Sequence, residues 1–218
     1  MSSEEIFDKL TQVVIDGEIE IAPELARQAL DLGLDPLAII NEGLTPGINH
    51  IGQAFGRGDL FIPDLVMGAE AMQAAIAILE PELAKRKQER QVVAKVVLGT
   101  VRGDIHEIGK TLVGTMLTAN GFQVIDIGAD KPATEFVAVV KETQAALVGA
   151  SALMTTTMLE QERIIEALEE AGLREQVKVM VGGAPVSRSW AEEIGADGYA
   201  EDAMSAVDLA FRLIDLPA

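Results

Sequence analysis

Residues 103–109 have the sequence Gly-Asp-Ile-His-Glu-Ile-Gly and lie between an apolar run and a helical pattern. The run before them, residues 94–101, has the length and β-branched content of a buried strand. After them, Ile108, Leu112 and Met116 recur at the spacing of one helix face. The stretch is therefore predicted to be a strand-to-helix loop, and it carries one of the two histidines of the chain.

The same alternation of strand and helix continues to the C-terminus. Strands are predicted at 95–101, 123–127, 146–150, 177–181 and 198–200, and helices at 107–119, 133–144, 158–171, 188–194 and 202–214. Five strands, each followed by a helix, predict a doubly wound five-stranded parallel sheet with right-handed crossovers. If the strand order is 2-1-3-4-5, the loops after strands 1 and 3 flank the ligand-binding edge.

The residues before about position 90 show helical periodicity only. Capping and proline signals predict helices that open at Ser3, at Ala22-Pro23, at Asp35-Pro36, at 44–46 and at Ile62. Short loops between them predict an antiparallel bundle, and the polar segment 85–90 predicts a linker. The expected architecture is therefore α + α/β, with a helical domain at 1–90 and an α/β domain at 91–218.

Composition narrows the class of protein. The 218 residues carry a formal net charge of −18 and no cysteine. The acidic balance disfavours nucleic acid or anionic membrane as a partner, and the lack of cysteine excludes disulfides and thiolate metal sites. No secretory signal and no uninterrupted apolar run of the roughly 18 residues of a membrane span are visible. We expect a cytoplasmic protein.

Three predicted strand-end loops are rich in small or polar residues, at 103–107, 151–157 and 182–185. None contains a dinucleotide-binding or Walker-type glycine loop, so nicotinamide and nucleoside triphosphate enzymes are disfavoured. The Gly-x-Ser-x-Gly motif of α/β-hydrolases is also absent. Together the three loops predict a long slot with small walls that can admit a bulky ligand.

His106 can be a metal ligand, a general base or a surface histidine without a role. Asp104 can bond one nitrogen of its ring, as carboxylates do for metal-bound histidines, or can form a capping box with Glu107 for the next helix. Thr157 and Glu160 have the same capping-box spacing. A conventional zinc or iron site needs three or four protein ligands. A lone histidine therefore suits a metal whose remaining positions belong to a macrocycle.

Three motifs, in this order along the chain, resemble the cobalamin-binding pattern: Asp104-x-His106-x-x-Gly109, Ser151-x-Leu153 and Gly182-Gly183. The last two stand at the predicted ends of strands 3 and 4. The segment 52–63, GQAFGRGDLFIP, resembles the helical cap of cobalamin-dependent methionine synthase. Over nearly its whole length the chain is similar to the free-standing corrinoid proteins of methyltransferase systems in anaerobes. The resemblance implies a helical cap domain followed by a Rossmann-like, flavodoxin-like B12-binding domain.

The resemblance also implies how cobalamin binds. In base-off, His-on binding, His106 is the lower cobalt ligand, and Asp104 and Thr157 complete a relay that ends in serine in methionine synthase. The nucleotide tail enters a slot lined by Ser151, Leu153, Gly182 and Gly183. Further positions that match corrin contacts are Gly103, Ile105, Glu107, Gly109, Thr155 and Ala200, and those that match the cap over the methyl-bearing face are Phe55, Ile62 and Leu65.

The function implied by the resemblance is that of a methyl carrier that is not itself a complete enzyme. It accepts a methyl group on Co(I) from a substrate through one partner methyltransferase and passes it to a second, whose acceptor is tetrahydrofolate or a thiol. A reductive activase is a further partner. The alternatives are the cobalamin-binding subunit of an adenosylcobalamin mutase, which lacks the cap sequence, and a cobalamin-dependent regulatory sensor, which carries a DNA-binding domain. A receiver-type domain without cobalt leaves the three motifs unexplained.

Overall fold

The computed structural model describes residues 2–86 and 92–214. The chain divides into two compact units, Met1–Gln91 and Val92–Ala218. The boundary predicted near residue 90, and most of the predicted linker, fall on residues 87–91, which lie outside the described residues. Each unit buries aliphatic side chains of its own, as expected of a protein poor in aromatic residues.

The helical unit consists of short helices and one long helix that pack against one another. Its elements are α1 (Ser3–Ile15), α2 (Ile21–Asp31), α3 (Pro36–Ala38), a π-helical segment (Ile39–Leu44), α4 (Thr45–Gly56) and α5 (Ile62–Lys85). Helix α5 packs against α2 and α4, and α1 packs against α2 and α4. Their facing stripes are fully buried, among them Ile6, Leu10, Ile48, Ile51 and Met72.

Two details of the helical unit differ from the prediction. Ser2, not Ser3, caps α1: its hydroxyl accepts from the Glu5 N–H at 3.2 Å, and the Glu5 carboxylate accepts from the Ser2 N–H at 2.8 Å. This reciprocal capping box requires the glutamate three residues after the cap, and Ser2 has that spacing. The separate helix expected to open at 44–46 instead continues α3 through the π-helical segment into α4.

Helix α5 contains a span, Ile62–Leu83, that is long and apolar enough to cross a membrane by length and composition alone. The sequence prediction found no such span because Asp64, Glu70 and Glu80 interrupt the apolar residues. The helix buries one stripe of side chains and packs against α2 and α4. That pattern is typical of the core helix of a bundle.

The second unit is the predicted parallel sheet. Its strands are β1 (Lys95–Val101), β2 (Gln123–Lys131), β3 (Leu147–Ser151), β4 (Lys178–Gly182) and β5 (Gly198–Ala200), and its helices are α6 (Ile108–Ala119), α7 (Ala133–Thr143), α8 (Leu159–Glu170), α9 (Arg188–Glu193) and α10 (Ala203–Leu213). The strand order β2-β1-β3-β4-β5 confirms the predicted order. All described strand pairs are parallel, so the carboxyl ends of β1, β3 and β4 meet at one edge.

Element boundaries agree with the prediction to within one residue, except for β2. Strand β2 runs to Lys131, four residues further than expected. Its last residues pair with β1 through register shifts, and Gly128 has a φ of +87°. Because Gly128 and Asp130 interrupt the apolar alternation after Ile127, the sequence pattern ends before the strand does.

Candidate functional site

Asp104 connects the loops that follow β1 and β3. Its side chain is fully buried, and its carboxylate accepts four hydrogen bonds. One oxygen, Oδ1, accepts from the ring Nδ1 of His106 at 2.7 Å and from the His106 N–H at 3.1 Å. The other, Oδ2, accepts from the Leu153 N–H at 2.7 Å and from the Thr157 hydroxyl at 2.9 Å. One carboxylate thus fixes three residues of two loops.

The same hydrogen bonds set the charge of Asp104. Burial by itself raises the pKa of this carboxyl, but bonds from the Leu153 N–H, the His106 ring, the His106 N–H and the Thr157 hydroxyl outweigh burial and lower the pKa from 3.8 to about 2. Asp104 is therefore ionised near neutral pH. Since an ionised carboxylate only accepts, the proton of this contact lies on Nδ1 of His106.

His106 presents its other nitrogen without a protein partner. Its side chain is 49% exposed, and within residues 2–86 and 92–214 no group is hydrogen-bonded to Nε2. The Thr100 hydroxyl donates to the His106 carbonyl at 3.0 Å, so the backbone of the loop is held as well. A neutral imidazole whose Nδ1–H is bonded to a carboxylate offers Nε2 as a metal ligand of fixed orientation.

Asp130, which lies in β2, holds the loop from its other side. Its carboxylate accepts from the Gly103 N–H at 2.7 Å, and its own N–H donates to the Asp104 carbonyl at 2.9 Å. Asp130 has a φ of +55°, which is uncommon for a residue other than glycine. The two bonds to the loop offset the cost of that conformation. Sequence analysis missed this residue.

The two capping boxes suggested by the sequence do not form, so those interpretations were wrong. Glu107 occupies the N-cap position of α6 and makes no side-chain cap bond, and the Asp104 carboxylate is engaged by His106, Leu153 and Thr157 instead. Helix α8 begins at Leu159, with Met158 at its N-cap. In both cases a partner distant in the sequence competes with the local cap.

Thr157 is buried and lies 2.9 Å from two acceptors, the Asp104 carboxylate and the Met154 carbonyl. Its hydroxyl carries one proton, so it donates to one of them at a time. A Cβ atom placed on Gly103 would lie 3.7 Å from the Thr157 methyl carbon. The methyl group thus sits beside a glycine in ordinary contact, and it leaves the bond to Asp104 intact.

Near the ends of β3, β4 and β5, backbone atoms approach two glycines closely, and at Gly183 glycine is required. Gly183 has a φ of +125°, and a Cβ atom there would lie 1.8 Å from the Ala152 carbonyl oxygen. A Cβ atom on Gly182 would lie 3.0 Å from the Ala200 carbonyl oxygen. Ser151 pairs with Gly182 in the sheet. The predicted slot residues Ser151, Gly182 and Gly183 are therefore brought together, with Ala200 on the neighbouring strand.

Large apolar side chains surround His106 in the sequence and are exposed. Ile105 is 76% exposed and Ile108 is 72% exposed. Leu153, Met154 and Leu159 are exposed too. Ile108, predicted to share one helix face with Leu112 and Met116, is the first residue of α6, and its side chain is exposed whereas theirs are buried. Exposed aliphatic groups of this size are suited to contact an apolar ligand surface.

The remaining predicted positions are distributed over both units. Gly103, Glu107 and Thr155 are exposed in the loops of the sheet edge, and Gly109 is exposed in the first turn of α6. Phe55, Ile62 and Leu65 belong to the helical unit, where Phe55 is partly buried, Ile62 is exposed and Leu65 is fully buried. Phe61, beside Ile62, is the more exposed of the two. Contact of these residues with a cofactor stays a prediction.

The residues at the sheet edge fit a corrinoid. Across the described residues, no group of three or more His, Cys, Asp or Glu is placed to hold a metal ion. The donor set is one imidazole oriented by an ionised carboxylate, next to a slot that tolerates only glycine at Gly183. Such a set suits a metal that arrives with a macrocycle and a long appendage.

Comparison with known proteins agrees with that fit. Family models described as B12 binding domains match residues 94–208 and 6–80. A corrinoid protein of Desulfitobacterium hafniense is 50% identical over 96% of this chain and 97% of its own length. The trimethylamine corrinoid protein of Methanosarcina barkeri is 48% identical over 94% of this chain and 95% of its own.

A solved structure gives the same result. The methanol:cobalamin methyltransferase complex of Methanosarcina barkeri superposes with a TM-score of 0.85 at 29% identity, over 97% of this chain and 80% of that one. The resemblance seen in the three motifs and the cap segment is thereby confirmed, as is the cofactor, a cobalamin-type corrinoid. This chain belongs to the corrinoid proteins of methyltransferase systems, the family that carries B12-binding domains.

Proposed function

We propose that this protein is a methyl carrier that binds its corrinoid base-off, with Nε2 of His106 as the lower cobalt ligand. The observation that supports this most strongly is the 2.7 Å bond from His106 Nδ1 to the buried Asp104 carboxylate, which leaves Nε2 without a partner in the described part of the chain. When bound, the corrinoid supplies the chemistry, because its cobalt can accept a methyl group and give it up again.

The residues around His106 control its position and its proton. Asp104 orients the imidazole and keeps the proton on Nδ1. Because the pKa of Asp104 is about 2, Asp104 stays ionised near neutral pH and would hold the imidazole with Nε2 available to the cobalt when the corrinoid is bound. Thr157 contributes the hydroxyl that ends the relay, and it can donate to Met154 when it does not donate to Asp104.

Other residues bind the remaining parts of the cofactor. The nucleotide tail enters the slot between the ends of β3 and β4, along Ser151, Leu153, Gly182 and Gly183. The corrin ring contacts the loop from Gly103 to Gly109, including Ile105 and Glu107, and reaches Thr155 and Ala200. By its resemblance to the helical cap of methionine synthase, the domain at 1–90 is proposed as a cap domain, with Phe55, Ile62 and Leu65 as its residues for the methyl-bearing face of the cofactor.

The partners follow from the same role. We propose a substrate:corrinoid methyltransferase that uses a methylated amine, because the relative from Methanosarcina barkeri at 48% identity is named a trimethylamine corrinoid protein. A second methyltransferase takes the methyl group to tetrahydrofolate or a thiol, and a reductive activase restores the reduced cofactor, all in the cytoplasm. A mutase subunit and a regulatory sensor are less well supported, because the relatives that match nearly the whole chain are corrinoid proteins.

The test compares the visible spectra of wild type, His106→Ala and His50→Ala after reconstitution with methylcobalamin. We expect a His-on spectrum for wild type and for His50→Ala, which changes the other, exposed histidine in the helical unit. His106→Ala should show a base-off spectrum with no nitrogen ligand, or bind cobalamin base-on. An unchanged spectrum in His106→Ala would contradict the ligand assignment.

A further inference from the structure

Gln161 is a fully buried polar residue near the start of α8. Its amide nitrogen donates to the Ala150 carbonyl at 2.9 Å and to the Gly182 carbonyl at 3.2 Å. Its amide oxygen accepts from the indole N–H of Trp190 at 3.0 Å. A buried amide is costly unless its polar groups are bonded, and here both ends are used. None of the roles proposed above for the cofactor-binding residues requires Gln161.

The two carbonyls lie on neighbouring strands where the sheet ends. Ala150 is the penultimate residue of β3, and Gly182 is the last residue of β4. The Gly182 carbonyl also accepts from the Ala152 N–H at 3.1 Å, so β3 and β4 are joined at the same place by a backbone bond. Gln161 therefore clamps together the ends of β3 and β4, through the residues that immediately precede Ser151 and Gly183 in the sequence.

Trp190 determines the orientation of the Gln161 side-chain amide. If the Gln161 amide turned over, its oxygen would meet two carbonyl oxygens and its NH₂ group would meet the indole N–H. Both contacts are repulsive, so the indole N–H fixes the orientation of the amide. Trp190 is itself held, because the Ser187 hydroxyl accepts from its backbone N–H at 3.2 Å and its ring packs against the buried core.

We propose that Gln161 and Trp190 are positioning residues that set the spacing of the β3 and β4 loops and thereby the affinity for the nucleotide tail of the corrinoid. This inference rests on the proposed function, in which that slot takes the tail. It predicts a selective effect: changing the clamp weakens binding of corrinoids that have a tail and leaves binding of the corrin ring and ligation by His106 unchanged.

The experiment measures the affinity of the full-length protein for cobalamin and for cobinamide, which has the corrin ring without the nucleotide tail, by absorbance titration. The variants are Gln161→Leu, which removes the clamp, and Trp190→Phe, which keeps an aromatic ring but removes the indole donor and part of the ring volume. Gln28→Leu on the exposed face of α2 is the matched control. Loss of buried hydrogen bonds of ordinary strength corresponds to a change on the order of tenfold in affinity.

We expect Gln161→Leu to lower cobalamin affinity about tenfold, and Trp190→Phe to lower it less, with cobinamide affinity and the His-on spectrum at saturation as in wild type. Equal losses for both corrinoids, or no loss for either, would overturn the inference. If Gln161→Leu does not fold, the ratio of the two affinities in Trp190→Phe decides. Failure of wild type to bind either corrinoid would instead count against the proposed function.

Discussion

Replacing Asp104 by asparagine should destabilise the protein even without cofactor. An amide keeps one acceptor oxygen, whereas the carboxylate accepts at both positions. If the oxygen stays with His106, the NH₂ group faces the Leu153 N–H, and that donor, which is partly buried, loses its acceptor. Thr157 can rotate to accept, but a backbone N–H cannot. An unsatisfied buried donor costs about 1–3 kcal/mol, and the lost charge weakens the bonds that remain.

The pKa of Asp104 gives a second estimate of the same size. A pKa lowered from 3.8 to about 2 corresponds to about 2.5 kcal/mol of stability from the ionised form. Because the folded-state pKa is the lower one, this contribution is complete well above pH 3.8 and is lost as the pH falls through about 2. Roughly half of it should be gone by pH 3.

The assay is urea denaturation of wild type, Asp104→Asn and Asp208→Asn at pH 7 and pH 3. Asp208 is an exposed residue of α10, so its variant controls for the loss of one charge. We expect Asp104→Asn to lose about 2–3 kcal/mol at pH 7 and clearly less at pH 3, while Asp208→Asn stays near wild type. A deficit of equal size at both pH values would refute the reasoning, because it would not depend on ionisation.

Two further changes test the geometry of the slot and of the relay. Gly183→Ala should lower the free energy of unfolding, measured by chemical denaturation, by more than about 2 kcal/mol, because the new Cβ would overlap the Ala152 carbonyl. The control Gly172→Ala, with positive φ but open space around it, should lower it by only about 1 kcal/mol. Similar losses in the two variants would show that space at Gly183 is not limiting. Thr157→Ser should keep the hydroxyl bonds and stay near wild type in stability, whereas Thr157→Val should lower the free energy of unfolding by about 1 kcal/mol and raise the pKa of Asp104. The pH dependence of unfolding measures that change in pKa. Equal behaviour of the two variants would exclude a role for the hydroxyl.

The strands and their order could be predicted from the sequence because each strand is a short apolar run bounded by small or polar residues. Strand β1 was placed at 95–101 and is found at Lys95–Val101. The apolar pattern does not predict the residues of β2 beyond Ile127, and it does not predict that the apolar residue Ile108 is exposed. In both places tertiary contacts decide, and periodicity carries no information about them.

The candidate site was predictable only as far as its motifs extend. Asp104 and His106 are two residues apart, so their contact could be proposed from spacing. The bond from Thr157 to Asp104 spans 53 residues, and local spacing favoured a cap instead. No sequence pattern predicts the contacts of Gln161, Trp190 and Asp130, because their partners lie on other strands and loops. The same holds for the buried Lys110, which pairs with Asp126.

The central claim is that Nε2 of His106 binds the cobalt of the corrinoid. The most direct measurement is electron paramagnetic resonance of the Co(II) form in protein whose histidines carry ¹⁵N. We predict that each cobalt line, split into a triplet by one ¹⁴N ligand, becomes a doublet with ¹⁵N-histidine, and that this doublet persists in His50→Ala. In His106→Ala the doublet should be absent, leaving either no splitting or the triplet of the cofactor's own base. A triplet that survives the histidine labelling would show that the nitrogen belongs to the cofactor, and it would contradict the account.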